Sequence, residues 1–416
     1  MSAPAKKHVV VIGGGAAGSM VARSLSDALD ASQHALTLIN ARPFNLSLPS
    51  TPRMAVSGED KFEDKILIPF DRLLANGVGD VKIGRVVRVE PADGADGKGG
   101  RGGVVVLLDG ERIRYDVLVL APGMRWDGPL DYPDSKDDTL AFIREWRDKF
   151  AKAEKIVMAG GGPVNIEIAG ELKYYFPDKS VTIVQSGDLP LNKVYSTRFR
   201  RTVETRIRKR GVDFIFGEYL DQTVPKDGVV FTRSGRKIPA DLVVASTGGH
   251  PATGFLSSIT PSILSPSGRV RTEPTLQVVS HPDIFCLGDV VDNEERLGIG
   301  KYRSHAKVVC ANVLARLRDG PAKDTYGGSI ETIAISMGKT GGAGYLGVLW
   351  GIIFSEWFIW LTKSRTMGVS AARYQMGYGL IESLRGAPVV VSALSRADVS
   401  ESGVNEDGEG AAKAVL

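Results

Sequence analysis

Cysteine is scarce: Cys286 and Cys310 are the only two in 416 residues, stand 24 positions apart and form no CxxC or CxxxxC pair. That excludes a disulfide framework and a paired-thiol redox centre. A bilayer-crossing apolar run of ~20 residues is also missing. The nearest approach, Tyr345 to Leu361, has 17 residues and contains Glu356. Charge of one sign is absent as well, since 52 Lys and Arg face 48 Asp and Glu for a net +4, so composition alone sets up no strong field for nucleic acid or an anionic membrane. The N-terminus shows no apolar signal segment and no Arg-rich presequence. Ser2 occupies the position where myristoylation needs glycine, so residence in the cytoplasm is expected.

What is abundant is glycine, 49 residues, in a chain too long for one hydrophobic core. The glycines concentrate at turns between strands and helices. His8 to Ile12 (HVVVI) is a β-branched strand that breaks into Gly13, Gly14 and Gly15; Ala16 to Ala28 then reads as a helix and Ala35 to Ile39 as a second strand. Such a βαβ unit requires a buried parallel sheet. The architecture repeats about 147 positions later, with strand Lys155 to Ala159, turn Gly160 to Gly162, helix Val164 to Tyr175 and strand Val181 to Gln185. Between the units, Gly103 to Leu108 and Arg112 to Leu120 read as strands, after an exposed loop from Asp93 to Gly103. Further strands are expected at Phe231 to Ile238, Ala240 to Ala245 and Ile284 to Leu287, then a helix from Lys301 to Leu317. Arg396 to Leu416 reads as a disordered tail.

Gly13, Gly15 and Gly18 form GxGxxG at a strand-to-helix turn, where glycine permits the tight turn, close approach of a pyrophosphate and close helix packing. The phosphate charge then meets a helix N-terminus. The residue that would grip a ribose from the end of the second strand is Asn40, which is polar but uncharged. Gly160 and Gly162 begin a second fingerprint, although Asn165 takes its third glycine position. Gln185 and Ser186 close that unit's strand where an acid would repel a 2′-phosphate, so NADH and NADPH both stay open. Arg198, Arg200 and Arg201 lie nearby for that phosphate, or form an ordinary solvated helix face.

These turns, with Leu118 to Gly123 (LVLAPG), STGG from Ser246 and Ile284 to Asp289 (IFCLGD), resemble the pyridine-nucleotide-disulfide-reductase-like flavoproteins. Within them, SMGKTGGAG from Ser336 and LTKSRTMGVS from Leu361 are similar to the apoptosis-inducing-factor-2-like or ferroptosis-suppressor quinone reductases, nearly the whole chain being covered. The resemblance implies an α/β fold of two Rossmann-like domains, FAD-binding at 1–125 with 246–325 and NAD(P)H-binding at 126–245, plus a small C-terminal domain at 326–395. It implies FAD and NADH or NADPH as cofactors, no metal, and a cofactor-contacting set of Gly13, Gly14, Gly15, Ala16, Ala17, Gly18, Asn40, Arg53, Ala121, Gly123, Gly160, Gly162, Pro163, Glu167, Gln185, Gly248, Gly288 and Asp289. Asp289 takes the role of the aspartate that bonds the flavin ribityl chain. Pro122 interrupts the family's usual ATG triplet.

Glu167, Lys301 and His305 are the candidate catalytic residues. Glu167 and Glu171 sit one turn apart on the second unit's helix, in reach of nicotinamide or simply on a solvated face. Lys301 and His305 open the helix after Asp289, where His305 either delivers protons or is a structural histidine. The apolar stretch Tyr345 to Leu361 reads as an interfacial helix or quinone-tunnel wall, with Lys363 and Arg365 meeting headgroups, or else as a core or dimer-interface helix. Hydride transfer from NAD(P)H to flavin and on to a quinone is the favoured activity, at a membrane or lipid droplet touched through 345–365. A small iron–sulfur carrier as acceptor, a homodimer, and a less favoured nucleic-acid role for the basic helix Arg198 to Arg210 remain alternatives.

Overall fold

The computed structural model describes residues 5–75, 77–92, 101–246, 248–293, 295 and 298–379. Ser2, most of the expected loop Asp93 to Gly103 and the expected tail Arg396 to Leu416 lie outside these residues.

Strand β1 (Lys7–Ile12) passes through the first glycine turn into helix α1 (Ala16–Ala28) and returns as β2 (His34–Asn40), parallel to β1. Val9, Val10 and Val11 are fully buried, as suits a β-branched run enclosed on both faces of a parallel sheet. Asp80–Ile83 extends the sheet beyond β2, and Val117–Leu120, His281–Cys286 and Gln277–Val278 extend it on the other side of β1, making six strands. The expected strand Arg112 to Leu120 is in fact two. Arg112–Tyr115 belongs to a separate antiparallel sheet, because Asp116 pins the chain between them: its N–H donates to the His8 carbonyl and its carboxylate accepts the His8 N–H at 2.6 Å. Helix α2 (Thr51–Val56) follows β2 and packs toward the second unit.

The second unit repeats the plan with β3 (Lys155–Ala159), helix α3 (Pro163–Tyr175) and β4 (Ser180–Gln185), in a four-stranded parallel sheet with Val212–Phe216 and Leu242–Ala245. Phe231 to Ile238, expected as one strand, splits into the hairpin Val229–Phe231 and Lys237–Pro239. Helix α4 (Thr197–Arg208) is capped by the Ser196 side chain, which accepts the Phe199 N–H. The chain then rejoins the first sheet, and helix α5 (Tyr302–Leu317) packs on α1.

The apolar C-terminal stretch is not one helix. β5 (Thr332–Ser336), β6 (Gly342–Leu346) and β7 (Ile352–Phe354) form an antiparallel sheet, followed by the short helix α6 (Glu356–Ile359), a π-helical turn at Trp360–Ser364 and helix α7 (Val369–Gln375). The glycines decide this: a Cβ at Gly342 would lie 2.0 Å from the Ile335 carbonyl oxygen and one at Gly344 2.4 Å from Ile359, so these positions serve close strand and helix approach. No helix among the described residues is long and apolar enough to cross a membrane.

Candidate cofactor and substrate cleft

Both glycine turns, the end of the first sheet and the C-terminal sheet open onto one cleft of about 2180 Å³. α1 and α3 begin at Gly15 and Gly162, with no side-chain cap and no acidic residue in the first turn. Their leading N–H groups and positive dipole ends therefore remain available to an anion. A Cβ added at Gly15 or Gly162 would meet nothing within 4 Å, whereas Gly13 and Gly18 are crowded by backbone at 2.1 and 1.8 Å. The cleft-facing glycines leave room for a ligand; the inner ones let the helix sit on the strand.

Of the sequence-derived contact set, Gly15, Ala16, Ala17, Ala121, Gly123, Gly160, Gly162, Pro163, Glu167, Gln185, Gly248, Gly288 and Asp289 line the cleft. Gly13, Gly14 and Gly18 stand behind this wall as turn formers. Asn40 does too, because its amide is committed: Oδ1 accepts the Gly14 N–H at 2.8 Å and Nδ2 donates to the Arg42 carbonyl at 2.8 Å. Gln185 repeats the device, its Oε1 accepting the Gly161 N–H at 2.7 Å. An amide at each strand end thus braces its own glycine turn. Asn165, standing where a third glycine was expected, donates to the carbonyls of Ala159 and Gly160, both at 2.8 Å, and so ties the helix to the strand it would otherwise crowd.

Arg53 departs from the expectation of cofactor contact. It is 3% exposed and absent from the cleft wall; its guanidinium grips Glu171 in a bidentate pair at 2.9 and 2.8 Å and donates to the Ser364 and Arg365 carbonyls. This rivet joins α2, α3 and the C-terminal turn. Burial pushes the Glu171 carboxyl up, with Arg53 opposing. Glu167, by contrast, reaches the cleft, where it accepts from Lys363 Nζ at 2.5 Å and from the Ser336 N–H and hydroxyl. Lys363, assigned to headgroups by the sequence, is thereby placed on the cleft wall instead, donating also to the Ala334 carbonyl at 2.7 Å.

Asp289 accepts the Gly298 N–H at 3.0 Å and is bonded by the Tyr302 hydroxyl, yet burial still raises its carboxyl above the usual range. Behind it lies a small pocket of about 10 Å³ containing Lys301, His305 and Glu295. Burial lowers Lys301, opposed chiefly by Glu295 at 3.6 Å. His305 is 1% exposed, its Nδ1 accepts the Gly288 N–H at 3.2 Å, and burial brings it down to about 4. Its Nδ1 thereby braces the turn before Asp289, while its Nε2 is buried without a protein partner among the described residues. Arg200 is likewise diverted from phosphate binding, since it is buried and donates to the Pro190 and Leu189 carbonyls and to Asp188.

Among the described residues, three buried polar atoms of the cleft lining lack a protein partner: Trp126 Nε1, Asn192 Oδ1 and Ser246 Oγ. Buried polar atoms are costly when unmatched, so the wall near the second glycine turn suits a polar ligand. A second stretch is apolar, formed by Ile333, Tyr345, Phe354, Phe358 and Ile359. Nothing in the local sequence marks Glu295, and Lys363 stands out there only through the LTKSRT motif, without a partner. Cys286 is fully buried and Cys310 lies on the cleft wall, both as free thiols, so no dithiol stands ready for a disulfide substrate.

Residues 7–311 match the family described as pyridine nucleotide-disulphide oxidoreductase. The chain is 42% identical over 324 residues to the FAD-dependent oxidoreductase FVFD30 of Flammulina velutipes, covering 78% of this chain and 99% of that one. It is 26% identical to ferroptosis suppressor protein 1 of Taeniopygia guttata, covering 89% and 96%. Among solved structures, the sulfide:quinone oxidoreductase of Aquifex aeolicus has the same fold, with a TM-score of 0.66 at 18% identity over 92% of this chain and 93% of that one. The resemblance to ferroptosis-suppressor and apoptosis-inducing-factor-like proteins is borne out by such relatives. Twin glycine turns with uncapped helix starts on one cleft and the match over 7–311 lead to one statement: the chain belongs to the pyridine nucleotide-disulphide oxidoreductase family.

Proposed function

We propose that this FAD- and pyridine-nucleotide-dependent oxidoreductase reduces a quinone. When bound, FAD would supply the redox chemistry, taking a hydride from NAD(P)H and handing it on as two electrons and one proton to the quinone, which takes up a second proton to become the quinol. The chain's part is placement. In this reading the first turn and Asp289 hold FAD, with residues 1–125 and 246–325 as its domain, and the second turn with Gln185 and Gly248 holds the nicotinamide nucleotide on 126–245. Glu167 keeps the Lys363 ammonium on the cleft wall at the meeting point of α3 and β5, from which Nζ would offer the acceptor its second proton. Lys301 and His305 support the flavin side from behind Asp289.

One observation carries the choice of acceptor: the cleft that both glycine turns share ends in an apolar, aromatic wall contributed by the C-terminal sheet, which suits a quinone ring and tail better than a charged protein carrier. The test is a flavin spectrum of the purified protein, followed by NADH and NADPH oxidation with short-chain quinone, ferricyanide or oxygen. Flavin bleached by NAD(P)H and restored by quinone is the expected result; bleaching without reoxidation by quinone refutes the acceptor.

A further inference from the structure

The turn joining β6 to β7 carries the barest apolar side chains of the C-terminal sheet. Leu349 is 77% and Trp350 98% exposed. Both have left-handed backbone, φ 48° and 64°, followed by Gly351 at φ 91°. That conformation is unfavourable for residues with a Cβ, and here it accompanies two large apolar side chains held out in water. The helical segment after β7 adds Trp357 and Leu361, four positions apart and both exposed. Between them Phe358 stacks on Phe354 with ring centroids 4.6 Å apart, and both line the cleft. One short helix thus presents a bare apolar face beside the mouth of the apolar end of the cleft.

We propose that this turn and helix face dock on an anionic lipid surface, inserting Leu349, Trp350 and Trp357 into one leaflet and opening the cleft toward the acyl chains. Tryptophan suits the headgroup boundary, having an apolar body and a polar N–H. Charge on the neighbouring helix selects the kind of surface. α4 lies against the hairpin, with Arg206 donating to the Gly342 and Phe354 carbonyls and Arg210 pairing with Glu356 at 3.0 Å. Its outer side displays Arg198 and Arg201, with Lys209 just beyond, and Arg365 lies exposed over the Trp360 ring. Tyr195 and Phe199 pack on Tyr345 at the root of the turn, so the start of α4, with Arg198, stands near the tip, and basic residues beside an apolar tip match anionic headgroups. A symmetric contact with a second copy would set the same basic flanks against each other.

The proposal is separate from the identity of the electron acceptor, because docking is measured without turnover. FAD-loaded full-length protein is floated with vesicles of phosphatidylcholine, alone or with about a quarter phosphatidylglycerol. The wild type should float with the anionic vesicles and be partly released by salt. Leu349→Ser with Trp350→Ser should lower partitioning by roughly ten-fold or more, with flavin content and turnover of a water-soluble quinone retained, since neither residue lines the cleft. Arg198→Glu with Arg201→Glu should weaken binding to the anionic vesicles alone. Failure of the wild type to float, or unchanged flotation of the Leu349/Trp350 variant, overturns the proposal. So does a wild-type dimer that the same variant dissolves, which would assign the tip to a second copy.

Discussion

Gly15→Ala and Gly18→Ala, three residues apart in one turn, separate the two uses of glycine. A Cβ at Gly18 would stand 1.8 Å from the Gly13 carbonyl oxygen and 3.2 Å from the Ala121 Cβ. Ordinary contact begins near ~3.5 Å, so the start of α1 must retreat by roughly 1.5 Å from β1. The helix is not free to do so, because Val21, Ala22 and Leu25 are fully buried. Overpacking of this kind costs about 1–3 kcal/mol, and at about 2–4 °C per kcal/mol the apoprotein should melt roughly 5 °C lower. Gly15 differs: its added methyl meets nothing within 4 Å and lies on the cleft side. Gly15→Ala apoprotein should melt within about 1 °C of wild type, yet bind FAD about ten- to hundred-fold more weakly as the methyl occupies pyrophosphate space. Melting curves of the apoproteins and quenching of FAD fluorescence on titration give both numbers. Wild-type FAD affinity in Gly15→Ala, or a wild-type melting point in Gly18→Ala, refutes the assignment.

Glu171→Ala strands the buried Arg53 guanidinium and should cost about 3–5 kcal/mol in urea unfolding, while Arg53→Met combined with Glu171→Leu should recover most of it; a single-variant cost below about 1 kcal/mol contradicts the rivet. For His305, whose ordinary value of 6.5 falls to about 4 in the folded chain, the stabilisation is present above pH 6.5 and is lost as pH drops toward 4, because the unfolded ring takes up a proton first. That amounts to about 3 kcal/mol, and His305→Gln should flatten this part of the stability profile relative to wild type. The end of the cleft by Gln185 and Ser186 is lined by Glu218, with Asp221 beside it held in a bidentate pair by Arg233, and Arg200 is committed to loop carbonyls. NADH should therefore bind more tightly than NADPH, by roughly ten-fold or more; equal dissociation constants by calorimetry contradict it.

Both βαβ units were legible because their signals are local: a β-branched strand, a glycine turn and a helix within about thirty residues. The wall of the cleft followed from those turns for the same reason. The misplaced residues owe their positions to distant partners. Arg53 meets Glu171 118 positions away, and Lys363 meets Glu167 across 196; no spacing rule reaches that far. Tyr345 to Leu361 misled through its hydrophobicity, which strands and helices share, while the close approaches at Gly342 and Gly344 are visible only once the neighbours are in place. Asn40 and Gln185 show the opposite case, with polar strand ends foreseen and their use as internal braces hidden in backbone geometry.

Arg53 also bears on how cargo moves. Because one guanidinium clamps α2, α3 and the turn at residues 364–365 together, swinging the halves apart would mean tearing a fork-shaped ion pair out of a dry interior. Nucleotide and acceptor are then expected to enter and leave through the standing mouth without the halves separating. Catalysis in a crystal or a cross-linked gel should accordingly keep its solution pace.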